Sequence, residues 1–325
     1  MVIDKMIKDL NDIKKQISFD KLQNKKVLLI GSNGFLGNWL KDFFEYFQIE
    51  YMTYDIQDNK EHDICKPIEL PRYDYVINCA GIASPEKYMK KPIETMDVSY
   101  LGTKNVLEYC RKNNVESVLF FSSSEVYGTP NKNSIPTKES YIGSIPTRGS
   151  RSCYDIGKQA LETLCFIYHN EYKMPIKVVR PFNFYGPYMG INDNRVLSNW
   201  MRCFINQEEL MIYGDGEQTR TFCYAADGIA MCLAVLLEGE QGEVYNVGNP
   251  TPELSMLELA EIFCSSLNHS SGYVVRDYPN HYPSDEPLRR CPNIDKVVKQ
   301  TGASPYTTLN TGLKKMLTYF EENEL

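Results

Sequence analysis

Ser123, Ser124 and Glu125 belong to a polar run that begins at Ser122, directly after the apolar segment "VLFF", residues 118–121. This segment has no period-two alternation, which predicts a strand buried on both faces. A polar run at the end of such a strand is either a turn or one half of an active site. The other half is predicted by Tyr154 and Lys158, which are four residues apart and therefore share one face of a helix.

The ammonium group of Lys158 can change the acidity of the Tyr154 phenol. A free phenol titrates near ~10, and a cation ~4 Å away at an effective dielectric of ~20 is worth about 4 kcal/mol, or roughly three pK units. We therefore expect Tyr154 to act as base and acid near neutral pH, with Ser123 bonded to the same substrate hydroxyl. A plain surface pair is the alternative interpretation of this spacing.

Gly31, Gly34 and Gly37 form a G-x-x-G-x-x-G motif between a predicted strand and a predicted helix. Such a turn lets a pyrophosphate approach the backbone at a helix N-terminus, where N–H groups are free. Asp55 ends the next strand, 24 residues after Gly31. Its carboxylate can accept hydrogen bonds from the adenosine ribose and repels a 2′-phosphate, which favours NAD over NADP; a strand-end turn residue is the alternative.

Strands and helices alternate from residue 25 to about residue 183, which predicts an α/β fold of the Rossmann type with a doubly wound parallel sheet. After residue 184, Gly/Pro turns interrupt this pattern, which predicts a smaller α/β substrate-binding cap. We expect a Rossmann domain at 25–183 that includes part of 219–247. The cap is then formed by 184–218 and 248–325.

The composition excludes several classes of partner. The 325 residues carry a net charge of −7 and no long Lys/Arg run, so neither nucleic acid nor an anionic membrane is expected to bind. Ten cysteines occur without a C-x-x-C pair, and the four histidines lie far apart, so no metal site is expected. Four cysteines in predicted strands and helices are typical of the reduced core of a cytoplasmic protein: Cys79, Cys110, Cys165 and Cys232.

Residues 1–24 are expected to contain an amphipathic helix. The apolar residues at helical spacing are Ile3, Met6, Leu10, Ile13 and Ile17. The segment has no continuous apolar stretch and is therefore not a signal peptide. We expect this helix to pack on the body of the protein or on a neighbouring subunit.

Several stretches occur together in a characteristic order, among them "GSNGFLG", "SSSEVYG", "RSCYDIGK", "RPFNFYGP", "YGDGEQTRTFCY" and "DEPLRRCPNI". From about residue 25 onward, the sequence resembles the extended short-chain dehydrogenase/reductase family of NAD-dependent epimerases, dehydratases and decarboxylases. Within this family it is most similar to the UDP-glucuronate decarboxylase subgroup. The resemblance implies an enzyme that forms homodimers through the helices at 95–112 and 152–170.

The resemblance also implies roles for individual residues. Glu125 and Ser124 face C5 of the sugar and its carboxylate, and Arg290 is the proton donor or the cation beside that carboxylate. The catalytic set is Ser123, Ser124, Glu125, Tyr154, Lys158 and Arg290. The cofactor-binding set is Gly31, Asn33, Gly34, Phe35, Leu36, Gly37, Asp55, Asp63, Ile64, Ala80, Tyr154 and Lys158. The set that binds the nucleotide sugar is Asn183, Val196, Leu197, Tyr213, Arg220 and Arg290.

The implied reaction is the decarboxylation of a nucleotide-linked uronic acid through a 4-keto intermediate. The 4,6-dehydratases of the family carry Asp-Glu where this sequence has Ser124 and Glu125, and a serine cannot act as the acid for a leaving hydroxyl. Departures at Ile156, Gln159 and Asn293 leave the sugar and nucleotide open. The alternatives are a nucleotide-sugar 4-epimerase or 4,6-dehydratase and, from another class, a non-catalytic NAD-binding sensor.

Overall fold

The main sheet is parallel and six-stranded, with the order β2-β1-β3-β4-β5-β10. We describe residues 2–278 and 288–323 of a computed structural model. The strands are β1 Lys26–Ile30, β2 Glu50–Tyr54, β3 Tyr75–Asn78, β4 Ser117–Phe121, β5 Ile176–Pro181, β6 Phe184–Tyr185, β7 Leu210–Tyr213, β8 Thr219–Arg220, β9 Cys223–Tyr224, β10 Val244–Val247, β11 Leu254–Ser255, β12 Tyr273–Arg276 and β13 Arg289–Arg290.

Helices cover both faces of this sheet. They are α1 Val2–Lys15, α2 Phe35–Tyr46, α3 Pro85–Lys90, α4 Pro92–Asp97, α5 Thr103–Asn113, α6 Ser152–Tyr172, α7 Val196–Ile205, α8 Ala225–Glu238, α9 Met256–Leu267, α10 Asp295–Thr301 and α11 Leu309–Asn323. Alternate residues of β1 enter different cores: Leu29 packs with α2 and α8, whereas Leu28 packs with α5 and α6. Burial on both faces explains the absence of alternation and confirms the predicted Rossmann-type fold.

The predicted helix at 95–112 contains a break. A π-helical turn at Val98–Gly102 separates α4 from α5. Gly102 lies against Ile64, whose Cδ1 would be 2.4 Å from a Cβ atom at this position. The turn therefore sits where the helix crosses the loop after β2, a contact between distant segments that helical periodicity does not reveal.

The N-terminal helix packs on the body of the protein. Met6, Leu10 and Ile13 of α1 are buried in the core shared with α2 and α8. Asp9, which is 2% exposed, accepts a hydrogen bond from the Tyr224 hydroxyl and pairs with Lys315 of α11. The helix thus connects α8 with the C-terminal helix.

Three smaller sheets follow the main one: β11-β8-β13, β7-β12 and β6-β9. In the first, Arg290 of β13 lies beside Arg220 of β8 in parallel register. All ten cysteines are free thiols. Among the described helices, none combines the length and apolar character needed to cross a bilayer. Within the same residues, no group of three or more His, Cys, Asp or Glu side chains could hold a metal ion.

Candidate active site

The glycine-rich turn between β1 and α2 has no space for side chains at two of its three glycines. Gly31 has a φ of +78°, and a Cβ atom there would lie 2.5 Å from the backbone nitrogen of Ala80. A Cβ at Gly37 would lie 2.3 Å from the carbonyl oxygen of Gly31. Gly34 is the N-cap of α2. The turn therefore brings the N-terminus of α2, with its free N–H groups, to the carboxyl end of β1.

Asp55 and Asn33 meet beside this turn. The buried Asp55 carboxylate accepts hydrogen bonds from the backbone N–H groups of Asn33 and Gln57, each at 2.9 Å. The Asn33 side chain donates to Asp58 at 2.7 Å and accepts from Lys41 at 3.0 Å. These bonds hold the Asp55 carboxylate at the end of β2, and its remaining lone pairs can accept from ribose hydroxyls.

The other predicted cofactor residues surround the same sheet edge. Phe35 and Leu36 form the first turn of α2, and Ala80 follows β3. Asp63 and Ile64 lie in the connection between β2 and β3, where the Asp63 carboxylate accepts from the Cys65 backbone at 2.9 Å and Ile64 is buried. A narrow glycine turn, a helix N-terminus and a strand-end carboxylate together fit a nicotinamide dinucleotide without a 2′-phosphate.

Ser123, Tyr154 and Lys158 come together at the carboxyl end of β4. Tyr154 lies in the first turn of α6, and Lys158 lies one turn later. The Lys158 ammonium donates to the carbonyl oxygen of Phe121 at 2.7 Å and lies 5.7 Å from the centroid of the Tyr154 ring. Ser123 lies close enough to the Tyr154 phenol to favour its ionised form. All three are at least nine-tenths buried.

The expected fall in the phenol pKa is wrong for the protein chain alone. Burial raises the pKa of Tyr154 to about 12, and the nearby Ser123 hydroxyl opposes this only in part. Burial also lowers the pKa of Lys158 to about 8, while nearby Cys79 and Glu162 act in the opposite direction. The sequence-based expectation included the attraction between the two groups but omitted the cost of removing both from water.

Two arginines bind the carboxylate of Glu125. Arg290 pairs with it through two contacts, Nη1–Oε1 at 2.5 Å and Nη2–Oε2 at 2.8 Å. Arg151 contacts Oε2 through its own Nη2 at 2.5 Å. Burial opposes ionisation of Glu125, but Arg290 and Arg151 outweigh it, so the pKa of this carboxyl is lowered. Ser124 is buried beside it in a 3-10 turn.

Sequence reasoning missed Arg151 and Tyr88. Arg151 is the residue immediately before α6, and only its packing against Glu125 reveals its role. The Tyr88 ring stacks on the Tyr154 ring, with centroids 5.1 Å apart and an angle of 14° between the planes. Its hydroxyl is buried and has no hydrogen-bond partner among the described residues. A charged residue directly before a predicted catalytic helix was the available signal for Arg151.

The predicted substrate residues are spread over several elements. Asn183 has a φ of +44°, and its side chain donates to the Thr221 carbonyl at 2.9 Å. Arg220 donates to the carbonyl oxygen of Thr219 at 2.9 Å and contributes to the low pKa of Glu125. Val196 and Leu197 form the first turn of α7, and the Leu197 side chain is buried in the core. Tyr213 of β7 stacks on Tyr278.

A Rossmann-type sheet with a glycine turn beside Asp55 is typical of an enzyme that binds a nicotinamide dinucleotide, and a tyrosine–lysine–serine group lies at the same sheet edge. The chain belongs to the NAD dependent epimerase/dehydratase family, whose model matches residues 27–248. The family confirms both the predicted relationship and NAD as the cofactor.

Curated relatives define the similarity further. UDP-glucuronic acid decarboxylase 1 of Arabidopsis thaliana is 37% identical over 264 residues, which is 81% of this chain and 58% of that protein. UDP-glucuronic acid decarboxylase 2 of the same plant is 34% identical over 93% of this chain and 69% of its own length. The chain thus spans less than two thirds of the first relative.

A solved structure supports the fold independently. UDP-glucose 4-epimerase of Thermotoga maritima, crystallised with UDP-glucose, superimposes with a TM-score of 0.82 at 23% identity. The superposition covers 92% of this chain and all of that one.

Proposed function

We propose that this enzyme decarboxylates a nucleotide-linked uronic acid, in a reaction of the UDP-glucuronate to UDP-xylose type, through a 4-keto intermediate. The observation that carries the proposal is the position of the Glu125 carboxylate and its two arginines, Arg290 and Arg151. Glu125, which binds Arg290 and Arg151, lies two residues after Ser123 and acts electrostatically on the Tyr154 phenol, so a carboxylate next to a sugar hydroxyl bound at Tyr154 would come close to the two arginines. The curated relatives named UDP-glucuronic acid decarboxylase support the same reaction.

Tyr154 and Ser123 handle the sugar hydroxyl at C4. Ser123 orients this hydroxyl toward the Tyr154 oxygen, which takes its proton and later returns one. Lys158 stabilises the phenolate form of Tyr154 from one helical turn away. When bound, NAD supplies a reversible hydride acceptor for C4. The residues that would hold it are those of the glycine turn and Asp55.

Oxidation at C4 makes the carboxylate on C5 that of a β-keto acid. Such an acid loses CO2 because the electron pair left behind is delocalised into the ketone as an enolate. Arg290 lies beside this position and stabilises the negative charge on the departing group and on the enolate. Ser124 and Glu125 line the same region, and we assign the return of a proton to C5 to a water molecule that these side chains orient, because Glu125 is ionised and a guanidinium keeps its protons.

The diphosphate and the base are assigned to the residues around β8 and α7. The guanidinium group of Arg220, in β8, can bind phosphate in a bidentate manner. Asn183 contacts the neighbouring strand β9. Because the Leu197 side chain is buried, only its backbone at the start of α7 is assigned to the base. Tyr213 presents a ring on which a base can stack.

Trapping of labelled CO2 tests the proposed function. The purified protein is incubated with NAD and UDP-glucuronate labelled in the carboxyl carbon. We expect CO2 release from the unmodified protein and a loss of at least about a hundredfold in Tyr154→Phe. Tyr172→Phe, at the exposed end of the same helix, is the matched control and should retain full activity. Folded, NAD-loaded protein that releases no CO2 would refute the proposal.

We also propose a homodimer in a reducing compartment such as the cytoplasm. The ten free thiols favour such a compartment. Large apolar side chains are exposed on the α4–α5 segment and on α6, as expected of an interface: Ile93, Tyr100, Leu101, Phe166, Ile167 and Tyr172. Light scattering should give twice the 37.4 kDa chain mass. A monomer at micromolar concentration would contradict the dimer.

A further inference from the structure

One buried carboxylate is shared by two guanidinium groups at the centre of the site. The Nη2 atoms of Arg290 and Arg151 both contact Oε2 of Glu125, at 2.8 and 2.5 Å. The side chains of the two arginines are each only 8% exposed, and that of Glu125 is 14% exposed. Two positive charges are therefore held close together out of water, an arrangement that a second anion would stabilise.

The two arginines come from different parts of the chain. Arg290 belongs to β13, in the small sheet with Arg220. Arg151 directly precedes the catalytic helix, and its carbonyl oxygen accepts from the backbone of Tyr154 at 2.9 Å. Its side chain thus ties Glu125 to the helix that carries Tyr154. Arg151 also lies near Asp155, whose Oδ2 is 3.9 Å from Nε.

Removing Arg290 from Glu125 would be costly if Arg290 were the sole partner. A buried carboxylate left without a charged partner is strongly unfavourable, and this penalty would weaken the binding of the substrate. Because Arg151 also binds Glu125, the carboxylate keeps a charged partner at hydrogen-bonding distance when Arg290 moves. Arg151 therefore holds Glu125 in place, which leaves Arg290 able to bind a second carboxylate.

We propose that Arg151 is a positioning residue that keeps Glu125 in place while Arg290 exchanges the Glu125 carboxylate for the carboxylate of the substrate. In this exchange Glu125 occupies the anion position next to Arg290 until a uronate arrives. The inference rests on the proposed function, since it requires a sugar acid as substrate. It assigns to Arg151 a selective effect on acidic sugars, because a neutral sugar brings no carboxylate for Arg290 to bind.

Binding of two nucleotide sugars tests the exchange. The dissociation constants of UDP-glucuronate and UDP-glucose are measured by calorimetry in NAD-loaded protein carrying Tyr154→Phe, which prevents turnover. We expect Arg151→Met to weaken UDP-glucuronate about tenfold and UDP-glucose less than about twofold. Arg151→Lys, which keeps the positive charge, should restore most of the lost affinity. Arg289→Met is the matched control, since it removes a neighbouring arginine paired with Glu253 and should change neither constant.

The outcomes separate the inference from the function beneath it. If the background protein does not prefer the uronate, the proposed function fails. If it does and Arg151→Met weakens both ligands equally or neither, the exchange is wrong. Should Arg151→Met fail to fold, Arg151→Gln, which also removes the charge, takes its place: a loss confined to UDP-glucuronate supports the exchange, whereas equal losses or none overturn it.

Discussion

Replacing Lys158 with methionine should shift the pH dependence of the reaction in a defined direction. The Lys158 ammonium lies 5.7 Å from the Tyr154 ring centroid, which at an effective dielectric of ~20 corresponds to about 3 kcal/mol, or about two pK units. Loss of this charge raises the phenol pKa further. The acidic limb of kcat/KM should therefore move about two units upward, and the rate near pH 7 should fall about a hundredfold.

The lysine's own titration sharpens this prediction. Burial lowers the pKa of Lys158 to about 8, so the unmodified protein loses the charge as pH rises through that value. The difference between the two proteins should thus be greatest near neutrality and shrink in more alkaline solution. CO2 release measured across this range tests it.

Lys177→Met provides the control for Lys158→Met. Lys177 is also buried in the main sheet, and burial lowers its pKa to about 8 as well. It donates to Ser117 and to the Leu236 carbonyl rather than approaching Tyr154. An acidic limb that does not move in Lys158→Met, or one that moves equally in Lys177→Met, would refute the electrostatic role of Lys158.

Four further substitutions test the packing of the site and of the main sheet. Gly37→Ala should lower the free energy of unfolding in urea by about 1–3 kcal/mol, because its Cβ would collide with a backbone oxygen at 2.3 Å. A Cβ at Gly34 would have its nearest atom at 3.4 Å, so Gly34→Ala should fold normally. Calorimetry should show that this variant binds NAD at least about tenfold more weakly. Equal stability of these two variants would contradict this. The unmodified protein should become more stable between about pH 8 and about pH 10.5, because a lysine with a lowered folded pKa destabilises the protein while it is protonated. Lys177→Met should remove this gain, measured as the free energy of unfolding in urea at both pH values. An unchanged pH dependence in the variant would contradict the prediction. Tyr88→Phe should raise the melting temperature slightly, because a buried hydroxyl without a partner costs about 1–3 kcal/mol; a lower melting temperature would mean that this hydroxyl is bonded.

The parts of the fold that depend on local pattern were predictable. The strand–turn–helix around the three glycines and the helix carrying Tyr154 and Lys158 follow from glycine spacing and from helical periodicity. The helix that begins at Ser152 was expected at that residue. Local rules suffice here because each feature lies within a few residues of chain.

The remaining features depend on contacts between distant segments. Arg151 and Arg290 are 139 positions apart and meet only through Glu125. The stacking of Tyr88 on Tyr154 likewise joins α3 to α6. The direction of the Tyr154 pKa shift was missed for the same reason, since desolvation is set by everything packed around a group.

Transfer of an isotope tests the central claim most directly. UDP-glucuronate carrying deuterium at C4 is incubated with NAD-loaded protein, and the product is analysed by mass spectrometry and NMR. We predict a UDP-pentose lighter by one CO2 that retains deuterium at C4, because a nicotinamide held at the glycine turn would supply a hydride site that does not exchange with water. A product of unchanged mass, a product that has lost water, or a pentose without deuterium at C4 would contradict transient oxidation followed by decarboxylation.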